Sequence, residues 1–369
     1  MTIKSLIAFV LILLISQPVV HAKTIWLKGN VHETMTWDSL YCAQTSNSKP
    51  KTCNARPEDW SNGIDLANID IGTFTIEQAE KAVRFPDDPV QELSFKNPIG
   101  LIRWSWNMAI VGCDSKTEGL QQGLRCSSHY GPFQFLHSMS SKEGVPAKIT
   151  KKKIMSWADY LVSIIENSKN TDGTSFIDQN YCTYWFRQSS SNNPIAVHMI
   201  PNGVDSFPCV VDEGGDWTIA SMFGFHCKNT IINCDVDLSH ENTKRKAIGA
   251  LLHLIQDSYS QGHSVRGDCC EGKSKEELAQ YQCEAINQFN SYENQNKRRH
   301  GYADSEPSAG FSCNHNTDIH DPILAGAIVL WNIKNNESSL LTSIAEYLDE
   351  HVFSLKDPEA FSSAGSGFE

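Results

Sequence analysis

Apolar positions recur at helical spacing in several stretches of this chain. Phe74 to Val83 mixes helix formers with apolar residues and stops before the stiff Pro86 to Pro89 segment. Ile154 to Ile165 reads as an amphipathic helix, and Ser274 to Asn290 as a charged one. Asp321 followed by Pro322 reads as an N-cap and first-turn proline opening a helix over Ile323 to Ile333, and Ser343 to Phe353 reads as a last amphipathic helix. Strict alternation occurs at Ile102, Trp104, Trp106 and Met108, a strand signal. From about residue 167 to 240 the chain is rich in Ser, Asn, Gly and Cys, which reads as a disulfide-held insertion rather than core helices. The expected class is therefore mainly α, with one helical domain and a loop-rich insertion.

The segment Ala247 to His263 breaks the usual pattern of a solvated helix. It contains one carboxylate, Asp257, and no Lys, Arg or Glu. His253 and Asp257 are four apart and share one helix face, opposite Ile248, Leu252 and Ile255. Their neighbours on that side, Gly249, Ala250 and Ser260, are small enough to let something approach closely. A lone Asp away from water is costly, whereas imidazole nitrogen and carboxylate oxygen are ordinary metal ligands. Gly262 is a natural helix stop that would turn His263 back toward the pair. The plainer alternative is a helix whose His253 and Asp257 hydrogen-bond each other or a neighbouring helix.

Composition narrows the setting. Lys4, the apolar run Leu6 to Ile15 and the small-residue site Val20-His21-Ala22 make residues 1–22 an export signal, with the mature domain over residues 23–369. That run is too short to span a bilayer, and no later stretch approaches the roughly 20 apolar residues required. A secreted protein with 12 cysteines reads as disulfide-bonded. Cys42 with Cys53, Cys113 with Cys126 and Cys227 with Cys234 are spaced to staple local loops, while adjacent Cys269 and Cys270 would look to Cys283 and Cys313. A net charge of −12 argues against binding duplex nucleic acid. It leaves room for a zwitterionic lipid surface.

The remaining His and Asp residues fall in a suggestive order: His32, the Asp87 and Asp88 pair, His129, then His253, Asp257 and His263, with His300, Asp304, His315 and His320 beyond. The H-x-x-x-D-x-x-x-x-x-H spacing of His253, Asp257 and His263 resembles the central motif of the bacterial zinc-dependent phospholipase C and P1-type nuclease superfamily. The blocks His129 to His137 (H-Y-G-P-F-Q-F-L-H) and Pro86 to Pro89 resemble its secreted phosphatidylcholine-hydrolysing branch. Only these short blocks carry the likeness.

The resemblance implies a helical fold around two to three zinc ions. It makes Asp257 a bridging carboxylate, His253 and His129 ligands of one ion, His32 a ligand of its neighbour, and His263 a ligand of the third. Of the acidic pair, it makes Asp88 a ligand and Asp87 a general base. For the third ion it implies a further partner. His320 is preferred over the His300 and Asp304 pair, which falls in what reads as a loop, and Asp321 is better used as a cap. His137, His198, His226, His240 and His351 carry no spacing that singles them out. The family's N-terminal tryptophan ligand has no counterpart at Lys23, since Trp26 lies three residues further in.

The implied activity is hydrolysis of the glycerol-side phosphodiester of a phosphatidylcholine-like lipid, at a membrane or micelle surface, to diacylglycerol and a phosphorylated head group. Tyr130, Phe133 and Phe135 are candidates to cage choline, with core packing as their alternative role. Two other readings stay open: a P1-type nuclease or phosphatase on the same metal scaffold, and a non-catalytic, disulfide-rich exported binding protein.

Overall fold

The computed structural model describes residues 31–87, 131–169, 173–199, 217–224, 237–266, 285–305, 322–335 and 339–369. The export segment, the strand expected at 102–108, and the cysteines at 113, 126, 227, 234, 269, 270, 283 and 313 lie outside them. The described chain is mostly helical. Its elements run α1 (Val31–Thr45), β1 (Ile64–Asp65), β2 (Thr73–Phe74), α2 (Ile76–Val83), a 3-10 helix (Gly131–His137), α3 (Ala147–Glu166), α4 (Tyr181–Ser190), α5 (Ala196–Met199) and α6 (Ile219–Phe223). They continue with α7 (His240–Asp257), β3 (Ser264–Arg266), β4 (Ile286–Phe289), α8 (Lys297–Ser305), α9 (Pro322–Lys334) and α10 (Leu340–Tyr347), which ends in a π turn (Leu348–Val352).

Helix α7 is the axis of the molecule. Ser239 caps it by accepting from the Asn242 N–H, and every residue from Ala247 to Asp257 is buried. Helices α1, α2, α3, α6 and α9 pack around it. The small residues foreseen on its His253 side do admit a close neighbour, but at Gly249 that neighbour is a helix rather than an ion. A Cβ at Gly249 would stand 2.1 Å from the Ala82 carbonyl carbon and 2.3 Å from its oxygen. Gly249→Ala is therefore expected to lower the melting temperature. The roughly 1 kcal/mol gained in helix propensity is outweighed by an overpacking cost of about 1–3 kcal/mol or more. An unchanged or raised melting temperature would show that α2 and α7 are not in contact.

The ends of α2 are fixed locally. The Thr75 hydroxyl and the Gln78 side chain form a reciprocal capping box, and the β1–β2 hairpin pairs Ile64 with Phe74 just before it. Its far end is tied to α1 by the part-buried Arg84–Glu33 ion pair. Helix α1 was not legible from apolar spacing, because its inward face is largely polar: His32, Glu33, Thr36 and Ser39 are buried beside Met35, Leu40 and Ala43. Ser39 donates to the Ile323 carbonyl of α9 at 2.9 Å, where Gly326 lets the two helices cross closely. Cys42 and Cys53 form the expected disulfide at the end of α1.

Other expectations shift. Helix α3 begins two turns before Ile154, and α9 opens at Pro322 as its sequence suggests. The described parts of 167–240 do contain core helices. Ile177, Tyr181, Trp185, Met199, Met222 and Phe223 all join the central apolar cluster. Large aromatic residues spaced among polar ones hide such a face from a compositional reading. Of the helix expected over Ser274–Asn290, residues 274–284 lie outside the described residues, and its last part is instead a strand at Ile286–Phe289, pairing antiparallel with Ser264–Arg266. The Ile286 N–H also donates to the Ser354 carbonyl at 2.8 Å, a partner distant in sequence that no local pattern reveals. Among the described residues no helix is long and apolar enough to cross a membrane.

Candidate metal centre

Five imidazoles and three carboxylates converge at the C-terminal end of α7: His32, Asp87, His137, His253, Asp257, His263, His300 and Asp304. Helix α7 contributes His253 and Asp257, both with no exposed surface. His32 comes from the first turn of α1, Asp87 from the turn that follows α2, and His137 from the last position of the 3-10 helix. His263 returns on the turn that closes α7, and α8 presents His300 and Asp304 four residues apart.

Asp257 lies between most of these groups. Its Oδ1 is 3.4 Å from His32 Nε2, and its Oδ2 is 2.8 Å from His137 Nδ1, 3.0 Å from His253 Nε2 and 3.6 Å from His263 Nδ1. Asp87 Oδ1 stands 3.7 Å from His253 Nε2 and 3.8 Å from His137 Nδ1. A few ångströms away, Asp304 places Oδ1 3.2 Å from His263 Nε2 and Oδ2 3.0 Å from His300 Nε2. The rings of His263 and His300 are stacked, with centroids 5.0 Å apart. Three groups of ligand atoms, each within 4.8 Å of one another, could hold metal ions: His32 with His253 and Asp257, Asp87 with His137 and His253, and His263 with His300 and Asp304. The first two share His253.

The hydrogen bonds behind the rings decide what faces the carboxylates. His253 Nδ1 lies 2.9 Å from the Val83 carbonyl and His263 Nδ1 2.6 Å from the His137 carbonyl. A carbonyl can only accept, so each Nδ1 carries the proton and donates. His32 Nδ1 donates to Gln256 Oε1 at 2.6 Å, an orientation set by the Gln256 amide, whose Nε2 donates to the Thr36 hydroxyl at 2.9 Å. In the neutral ring, Nε2 of all three residues is then a lone pair. Each such lone pair points at a carboxylate oxygen 3.0 to 3.4 Å away. Two acceptors face each other in a buried site. A cation between the atoms relieves this, whereas several imidazolium ions this close would repel one another; His137 Nδ1, 3.1 Å from His253 Nε2 and 2.8 Å from Asp257 Oδ2, can donate to one of that pair. Burial also drives His137 below the ordinary imidazole range, against the pull of the Asp257 carboxylate, which favours its neutral, ligating form. Histidines held by outer hydrogen bonds and aimed at carboxylates are the usual surroundings of a bound transition metal.

Of the residues singled out in the sequence, His32, Asp87, His253, Asp257 and His263 meet here. Asp88, His129 and His320 lie outside the described residues. Asp87, read as a base, has Oδ1 beside two imidazole nitrogens, the place of a ligand. Three members were missed, His137 and the His300–Asp304 pair. No spacing singles out His137 in the sequence, but the 3-10 helix buries Gln134, Phe135 and Leu136 and turns His137 inward with them. The sequence around His300 and Asp304 reads as a loop, which favours His320, yet Lys297–Ser305 is a helix, so the two residues share a face. The H-x-x-x-D spacing was the signal, and Gly301 obscured it. Phe133 and Phe135 belong to the core, with Phe135 edge-on to Trp157. No family model, curated protein or solved structure matches this chain.

Proposed function

We propose that the protein is an exported zinc-dependent phospholipase C that hydrolyses the glycerol-side phosphodiester of phosphatidylcholine-like lipids to diacylglycerol and a phosphorylated head group. The observation that carries the reading is the facing of imidazole lone pairs and carboxylate oxygens around Asp257, which calls for cations. The His and Asp spacing shared with the zinc phospholipase C and P1-type nuclease superfamily supports the choice of phosphodiester chemistry. A set of imidazole and carboxylate donors suits zinc. The Cys42–Cys53 disulfide is compatible with an extracellular protein.

His32, His137, His253, Asp87 and Asp257 would hold two ions, and His263, His300 and Asp304 a third. Zinc held by these residues would supply a water of near-neutral pKa and positive charge to offset that of the phosphate. The chain itself orients the donors through Val83, His137 and Gln256. Asp87 would combine two roles, as a ligand through the Oδ1 beside His137 and His253 and as the carboxylate that takes the proton of the attacking water. In the overall reaction, water adds to phosphorus, the P–O bond to the glyceride breaks, and the alkoxide leaves with a proton.

Purified protein incubated with phosphatidylcholine vesicles is expected to release diacylglycerol and phosphocholine. The same sample should leave single-stranded DNA intact. Nucleotide release with untouched lipid would transfer the reading to the nuclease branch, which the net charge of −12 disfavours. Protein that takes up no zinc and, with zinc supplied, cleaves neither substrate would favour the binding-protein alternative.

A further inference from the structure

The eight residues of the centre arrive on separate elements and turns of the chain. His263 arrives on the short turn after α7, while His300 and Asp304 arrive on α8, which is preceded by the segment Ser291–Gln295. These two pieces must be held in register for Asp304 to reach both imidazoles. Gln295 joins them. Its buried side-chain amide uses both N–H groups, one to the Gly262 carbonyl at 2.7 Å and one to the Ala364 carbonyl at 2.6 Å. Gly262 immediately precedes His263 and also abuts the His300 ring, since a Cβ there would lie 2.9 Å from Nδ1.

The segment containing Ala364 grips the same region at several further points. The Ser291 N–H donates to the Ser363 carbonyl at 2.8 Å, the Asn296 N–H donates to the Phe368 carbonyl, and Arg299 donates to the Gly367 carbonyl at 2.9 Å. Asn290 completes the knot. Its N–H donates to the His263 carbonyl at 2.8 Å, its side chain donates to the Gln261 carbonyl at 2.9 Å, and Gly365, at φ +91°, passes directly over that side chain. Residues 363–369 thus lie as a strap across the start of α8 and the turn bearing His263. Neither hydrogen bond of Gln295 goes to α1 or α2, which bring His32 and Asp87.

We propose that Gln295, together with the strap at residues 363–369, is the positioning element of the His263–His300–Asp304 group, and that it sets zinc occupancy there independently of the group around Asp257. The proposal rests on the metal-binding reading above. Gln295 touches neither metal nor substrate, and it acts by fixing the carbonyl on one side of His263 and the start of the helix that carries its partners.

The test is a competition titration of the full chain with zinc ion against a chromophoric chelator. Gln295→Met keeps length and bulk and removes both donors. It is expected to weaken one class of zinc site by about 10–100-fold, as loss of outer-shell support does elsewhere, and to leave the remaining sites unchanged. Uniform weakening of every site would mean a general structural role and would overturn the proposal, as would no weakening at all. Should Gln295→Met fail to fold, Arg299→Ala removes only an exposed contact with the strap. It is expected to weaken the same class several-fold, and unaltered titration of that variant overturns the proposal. Unmodified protein that takes up no zinc would sink the metal reading itself, whereas normal uptake with unaltered variants sinks this inference alone.

Discussion

Asp257→Asn is expected to strip metal from the centre and abolish hydrolysis while leaving the helix that carries it in place. Asn has nearly the size of Asp but no charge, and its amide cannot serve as an anionic bridge. Asp257 faces His32 through one oxygen and His137 and His253 through the other, so the change reaches both ligand groups that share His253. Outer-shell changes alone cost about 10–100-fold in metal affinity, and loss of a shared carboxylate should exceed about 100-fold. Elemental analysis of the purified variant beside the unmodified protein reads the effect directly. Full metal content in Asp257→Asn would remove this residue from the ligand set and leave the proposed bridge without support.

Chelation should produce the second large effect. Metal that binds the folded chain and not the unfolded one adds about 4 kcal/mol per site when free ion is a thousandfold above Kd. Removing it withdraws that stabilisation and leaves three buried carboxylates facing lone pairs. For a chain of this size, with roughly 2–4 °C per kcal/mol, the melting temperature should fall by about 10 °C or more. Added zinc should restore both melting temperature and lipid hydrolysis. A chelator-stripped sample that keeps full activity would end the zinc mechanism, whatever its melting temperature does.

The centre was legible in the sequence where its residues share one helix. His253 and Asp257 stand four apart in a segment free of other charge, and that local fact survives in the structure. His32 and Asp87 could be nominated from their order in the chain, but their approach to Asp257 depends on how α1 and α2 pack on α7. Spacing says nothing about that packing. His137 was invisible for a different reason. It closes an apolar run, where a lone His is usually a satisfied core residue, and only the curl of the 3-10 helix aims it at Asp257. The His300–Asp304 pair had the right spacing but sat among Arg, Gly and Pro residues that suggest a loop. The fold followed the same rule. Helices α3 and α9, with continuous apolar faces, were foreseen, whereas α1, with its polar inner face, and the strand Ile286–Phe289, held by remote partners, were not.

The hydrogen bonds that orient His253 and His263 end on main-chain oxygens, those of Val83 and His137. No side-chain replacement at either position deletes an oxygen of the peptide unit. His137→Ala would therefore withdraw one imidazole from Asp257 and still leave His263 steered as before. His32 has no such insurance, because its acceptor is the Gln256 amide, which a single codon change can erase. Variation that retunes this centre without dismantling it has its easiest entry at the His32 side.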